Sequence, residues 1–421
     1  MTLVTCPAGS DPGGPQLPFP DASDPPSESH LRIFLRFLRF GLLAWGGPVA
    51  QIAMLRRELV DEEHWVTPDQ FNAIFAVYQV LPGPEASELC VYFGMRAGGR
   101  IGGLLAGLGF MLPGLALMLI LSWAYVAVGV DAAVLGAVFY GTQPAVAAVV
   151  ARAVHRIGEP VLSDRWLWAI AGAAALGEVA RVPFLLSLPV LGAAYLLARA
   201  GRRAAAGAII GSVVAVSLVL LASPAPFASA DLQPPGAPRS GAPSLAALFI
   251  SGLRTGLLTF GGAYTAIPFL RNDAVNIGRW MTDDQFLDGL ALTGILPAPL
   301  VIFGTFVGYV GGGLPGALVL TAGIFLPAFG FTLVAHEQLE RLVMRPAVHT
   351  FLVGVTGAVV GLIAVAAIGL ARAALVDGWT VAIAVVALVL LYRWHARLAV
   401  PIVVIGAGLA GWIVQRVLNA P

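Results

Sequence analysis

Residues 39–84 read RFGLLAWGGPVAQIAMLRRELVDEEHWVTPDQFNAIFAVYQVLPGP, and residues 254–299 read RTGLLTFGGAYTAIPFLRNDAVNIGRWMTDDQFLDGLALTGILPAP. Shifting the first stretch by 215 positions brings identical residues together at 19 of its 46 places, far more than this composition yields by chance. Arg39 falls on Arg254, Gly46-Gly47 on Gly261-Gly262, Trp65 on Trp280, Asp69-Gln70-Phe71 on Asp284-Gln285-Phe286, and Pro82 and Pro84 on Pro297 and Pro299. After a one-residue gap, Gly98, Gly102 and Pro113 fall on Gly312, Gly316 and Pro327. The chain is therefore a duplication with copies at 31–200 and 244–421, a connecting helix and Pro-rich linker at 201–243, and a Pro-, Asp- and Ser-rich tail at 1–30 expected to be disordered.

Composition identifies the solvent. With 58% hydrophobic and 11% charged residues and a mean hydropathy of +0.86, the chain is too apolar for a water-soluble domain. Its apolar runs are about 15 to 28 residues long and do not alternate, so backbone polar groups are satisfied within helices and not in a barrel. The expected fold is an all-α polytopic membrane protein. Apolar segments lie near 31–55, 70–94, 101–127, 131–152, 166–180, 182–199 and 204–223, then near 245–270, 285–310, 314–335, 347–371, 379–393 and 398–416. That makes about 13 transmembrane segments, six per copy plus one extra helix.

Charge sets the orientation. With the N-terminus cytoplasmic, 14 arginines fall in inside loops and 6 in outside loops or the C-terminus, as the positive-inside rule requires, and the C-terminus is then periplasmic. The seventh segment starts the second copy on the opposite face, so the repeats are expected to be inverted, an architecture of secondary transporters. A net charge of +1 without a basic tail argues against a nucleic-acid partner. Cys6 and Cys90 form no metal or redox pattern, the histidines are scattered, and no HExxH or GxSxG sequence is present. Neither an enzyme nor a cofactor is expected. The lipid bilayer is one partner, and a homodimer is the expected self-association.

Both copies interrupt apolar segments at matching places: Trp45-Gly46-Gly47-Pro48 with Phe260-Gly261-Gly262-Ala263, and Leu81-Pro82-Gly83-Pro84 with Leu296-Pro297-Ala298-Pro299. Proline removes a ladder donor and paired glycines tolerate unusual backbone angles, so broken helices at mid-membrane depth follow. Exposed helix N-termini there suit an anion. The expected binding residues are Gly46, Gly47, Pro48, Gln51, Gln79, Pro82, Gly83, Pro84, Thr259, Gly261, Gly262, Pro297 and Pro299. Arg39 and Arg254, one and a half to two turns before the glycine pairs, are either guanidinium contacts to an oxyanion or snorkelling anchors. Glu85 and Glu88 follow the first Pro-Gly-Pro, where the second copy has Leu300 and Phe303. They are either coupling and gating carboxylates or solvated groups at the cytoplasmic mouth. Thr67 with Gln70, and Thr282 with Gln285, have the spacing of capping boxes, while Gly98-Gly99 and Gly311 to Gly313 suggest tight turns.

Phe40 to Pro48, Leu81 to Pro84, Gly256 to Gly262, and Pro297-Ala298-Pro299 followed by Phe306-Val307-Gly308-Tyr309 together resemble the chromate ion transporter family in its long two-domain form. The resemblance covers about residues 31–418. It implies efflux of chromate, and of related oxyanions such as sulfate, across the bacterial inner membrane, conferring chromate resistance. A transporter or channel for another small anion is the alternative. Export of a dianion from a negative interior gains about 4 to 5 kcal/mol per 100 mV, at roughly 2.3 per charge.

Overall fold

A computed structural model describes residues 28–45, 47–78, 81–128, 133–222, 242–259, 263–343, 345–394, 396 and 398–418. The expected tail and most of the linker lie outside them. Among the described residues there are fifteen α-helices and no strand, and six helices are long and apolar enough to cross a membrane. The protein is a multi-pass helical membrane protein.

The four segments that carry the breaks are not single rods. In the first copy α1 (His30–Leu42) is followed by α2 (Gly47–Arg56) and a π-helical turn, Arg57–Glu62. Thirteen residues of α1 make about 20 Å, short of the roughly 30 Å hydrocarbon core. The chain then folds back on α1: Arg39 meets Glu58 at 2.5 Å, and Arg36 meets Glu63 at 2.5 Å, so α1 and the chain after the break form a hairpin. A second pair of arms follows, α3 (Pro68–Tyr78) and the start of α4 (Glu85–Val128), separated by non-helical Leu81 to Pro84.

The first copy continues through α5 (Ala133–Val161), α6 (Arg165–Val179) and α7 (Phe184–Arg199), and α8 (Arg203–Ala222) is the connecting helix. The second copy then repeats the first copy's architecture. Its elements are α9 (Leu245–Leu258), α10 (Ala266–Arg271), a π-helical turn at Asn272–Ile277, α11 (Asp283–Gly294) and α12 (Phe303–Val343), followed by α13 (Pro346–Ala374), α14 (Gly378–Arg393) and α15 (Ala399–Leu418). The equivalence reaches single residues. His64 and Arg279, 215 apart, both take left-handed backbone angles, at φ 54° and 51°. Both capping boxes form as their spacing implied, with Thr67 and Gln70 exchanging bonds of 2.9 and 3.3 Å and Thr282 and Gln285 bonds of 3.0 and 3.2 Å.

Helices α4 and α12 each reverse at a glycine pair. Gly99 sits at φ 63°, ψ −163° and Gly313 at φ 61°, ψ −155°, a region open essentially to glycine alone. The turns let the two parts of each helix touch: Gly94 abuts Gly102 and Ala106, and Gly308 abuts Gly316 and Ala317. Gly99→Ala and Gly313→Ala are each expected to cost about 1 to 3 kcal/mol. Being in separate hairpins, they should add in the double variant when thermal unfolding is followed in detergent.

Small residues then set the helix pairs, since lipid offers no hydrophobic drive between helices. Gly41 of α1 lies on the Phe110 carbonyl of α4, and Gly256 of α9 on the Ile324 carbonyl of α12. Beyond their turns, α4 and α12 run antiparallel, with Gly103 against Leu333 and Gly107 against the Phe329 ring. Helix α15 packs antiparallel on α5 through Gly141 and Gly411, and α13 packs parallel to α6 through Gly357 and Gly361. A polar tie links α5 to the start of α14: the Tyr140 hydroxyl donates to Asp377 at 2.5 Å. That bond and the Thr380 amide hold the Asp377 carboxyl below its ordinary range.

Candidate functional site

Described residues from all four breaks converge, and they do so crosswise between the copies. Gln51 of α2 is buried, and its Nε2 donates to the Ala44 carbonyl at 3.0 Å and to the Ala298 carbonyl at 2.9 Å. The first break of copy one is thereby tied to the second break of copy two. The Gly83 amide donates to the Thr259 carbonyl at 2.8 Å, which ties the remaining two together. Backbone groups that leave a helix lose their ladder partners and must find others inside the protein. Here they find each other.

Beside the Gln51 junction is a cavity of about 40 Å³, enough for about three water-sized particles at roughly 10–15 Å³ each. Gly47, Tyr264, Thr293, Leu296, Ala298 and Leu300 line it from the breaks, and Val146 and Val150 of α5 with Val400 and Val404 of α15 close it. Gly47 has φ +79°, and a Cβ there would lie 3.5 Å from the Tyr264 hydroxyl, so glycine both permits the turn and leaves the space open. The charges of Arg152 and Arg156 on α5 reach the Tyr264 phenol. An apolar wall with few polar groups and positive charge nearby is the expected chemistry of a small-anion cavity.

The anticipated residues divide. Gly47, Gln51 and the Pro297–Pro299 break sit at the junction. Pro82, Gly83 and Pro84 lie in the partner junction. There the Gly83 amide is already engaged, and the Pro84 carbonyl accepts from Ser87 and Glu88 at 2.8 and 3.2 Å. Thr259 is buried and turns its hydroxyl into its own helix, onto the Thr255 carbonyl at 2.7 Å, so it is a helix-end group in this conformation and not an exposed donor. Pro48 opens α2 beside Gly47. Gly46, Gln79, Gly261 and Gly262 lie outside the described residues.

Arg39 and Arg254 occupy equivalent places, and each meets a carboxylate at an equivalent place in the π-helical turn, Glu58 and Asp273. Their guanidinium groups hold hairpin arms together. Arg254 also stacks over Phe184, 5.5 Å from the ring centre. Glu85 and Glu88 are not solvated groups at a mouth: both are buried, and Glu88, whose Oε1 lies against Gly83, has no hydrogen-bond partner for its carboxylate among the described residues.

Tyr264, Arg152, Arg156 and the α15 valines were not legible as site residues. They sit in ordinary-looking helical contexts, and only their convergence from distant parts of the chain marks them.

The model of the family described as chromate transporter matches residues 31–221 and 246–412. A chromate transport protein of Pseudomonas aeruginosa is 54% identical over 93% of this chain and 94% of its own length. One from Cupriavidus metallidurans is 32% identical over 94% of this chain and 95% of its own. A probable chromate transport protein of Synechococcus elongatus is 31% identical over 92% and 96%. No solved structure matches the chain. Duplicated helix breaks, their crosswise junctions and agreement along nearly the whole length lead to one conclusion: the chain belongs to the chromate transporter family.

Proposed function

We propose that the protein exports chromate across the bacterial inner membrane, and so confers chromate resistance, by holding the anion in the cavity beside the Gln51 junction. The observation that carries this is the cavity's position. It lies where breaks from both copies meet, beside the Gln51 bridge and within reach of the Arg152 and Arg156 charges. The names of the relatives support chromate as the cargo, and the membrane potential favours export of a dianion by about 4 to 5 kcal/mol per 100 mV. Glu85 and Glu88 gate the second junction, where a buried carboxylate facing Gly83 changes the local balance as it gains or loses a proton.

The topology belongs to the same proposal. The two copies are inverted, which the antiparallel course of α4 and α12 supports. The four interrupted segments are re-entrant hairpins, so the thirteen apolar segments become nine crossings. Removing two crossings before the linker leaves an odd number, and the inversion is preserved. With the Gly98–Gly99 turn cytoplasmic, 16 of the described arginines fall on the cytoplasmic side and 6 on the periplasmic side, with the N-terminus in and the C-terminus out.

The test is chromate uptake into inverted membrane vesicles under an imposed potential, with and without a pH gradient and with sulfate as competitor. Uptake driven by potential and blocked by excess chromate is expected. Vesicles that accumulate no more chromate than empty-vector controls would end the proposal, and stronger competition by sulfate would move the substrate to that anion.

A further inference from the structure

Asp288 lies midway along α11 with 1% of its surface exposed, and it joins elements of both copies. The Tyr125 hydroxyl of α4 donates to Oδ2 at 2.8 Å, and Gln143 Nε2 of α5 donates to Oδ1 at 2.9 Å. Tyr125 is itself held edge-on by Phe306, with ring centres 5.0 Å apart. The equivalent residue in the first copy is Ala73, so the duplicated fold does not need an acid here.

The surroundings give this carboxylate hydrogen bonds but no counter-charge. Both donors are neutral. Among the described residues the charge acting on it is that of Asp284, one turn earlier on α11, which is also negative. The other elements packed on α11 supply apolar groups to the surrounding core: Phe303 and Phe306 of α12, Val301 and Ile302 just before it, Leu370 of α13 and Val404 of α15. A buried carboxylate without a cation carries the desolvation cost of its charge with no ion pair to offset it, and a bound proton removes that cost.

Asp288 shares a helix with the cavity wall. Leu290, Thr293 and Gly294 line the cavity from the face of α11 opposite Asp288, so the carboxylate and the cavity are separated by the width of the helix. An anion there repels the ionised carboxylate across a medium that screens poorly, and protonation removes the repulsion.

We infer that Asp288 is a proton-binding site linked to the anion cavity: anion entry draws a proton onto Asp288, and loss of that proton weakens anion binding. The linkage is reciprocal by thermodynamic necessity. Proton and anion therefore bind together, as cotransport requires, and do not compete as exchange requires. The inference rests on the proposed anion site.

The test is calorimetric titration of the full-length protein with chromate between pH 5 and 8, in two buffers of different ionisation enthalpy, to count protons taken up per anion. Comparing variants at one pH cancels chromate's own protonation. Wild type should take up more protons than Asp288→Asn, by up to one per anion. Tyr125→Phe removes a bond that favours the ionised form, so it should move the excess uptake to higher pH, a shift that a merely structural role would not produce. Chromate binding with equal uptake in wild type and Asp288→Asn overturns the linkage alone. Absence of chromate binding to wild type overturns the anion site and the linkage with it.

Discussion

Arg254→Met is expected to be among the most damaging single substitutions in the hairpins, because it strands a charge and not because it removes a ligand. Asp273 is 3% exposed, and Arg254 is its ion-pair partner, with the Ser251 hydroxyl donating at 2.7 Å to the other oxygen. Removing one member of a buried pair costs about 3 to 5 kcal/mol, most of it the burden of the charge left behind. The variant should accumulate poorly and unfold at lower temperature in detergent. Replacing both partners, Arg254→Met with Asp273→Leu, should restore most of that stability. The first-copy pair differs in degree: Glu58 is buried, but the Arg39 side chain is 60% exposed, so solvent screens that pair and losing its arginine should cost less than losing Arg254. If Arg254→Met were as stable as wild type and lost only transport, the guanidinium would be a substrate contact after all.

Gln51→Leu is expected to abolish transport. Leucine has nearly the same volume but cannot donate, so the Ala44 and Ala298 carbonyls lose their shared partner within the protein. Each orphaned buried acceptor costs about 1 to 3 kcal/mol. If that cost falls on the conformation in which the two breaks are joined, its population drops about tenfold for each 1.4 kcal/mol. Chromate uptake in inverted vesicles should fall at least tenfold at equal protein level. A Gln51→Leu variant that transports normally would mean that the junction is not part of the working cycle.

The contrast between these residues shows what could be read in one dimension. The repeat offset, the breaks and the capping boxes are local or periodic properties. Each follows from residue types at fixed spacing; both capping boxes form, and helices end or begin beside each break where its residues are described. The roles of Arg39 and Arg254 were left open between anion contact and anchor, because the opposing carboxylates lie 19 residues further on, in a π-helical turn that no spacing rule announces. Glu88 was equally undecided: its burial depends on α12, more than 200 residues away, which presents Ala328 to the same break. Arg152, Tyr264 and Asp288 carried no signal, since a lone polar residue in an apolar helix looks alike whether it meets a cavity, a neighbour or lipid.

The sequence by itself determined that this is a duplicated, helical membrane protein with paired interruptions, because hydropathy, glycine and proline act on the chain within a turn or two. Only the tertiary structure decided that those interruptions meet crosswise between the copies and enclose a cavity. That pairing rests on hydrogen bonds such as Gln51 to Ala298, 247 residues apart, whose energy depends on where the helices lie in space and not on any neighbour along the chain.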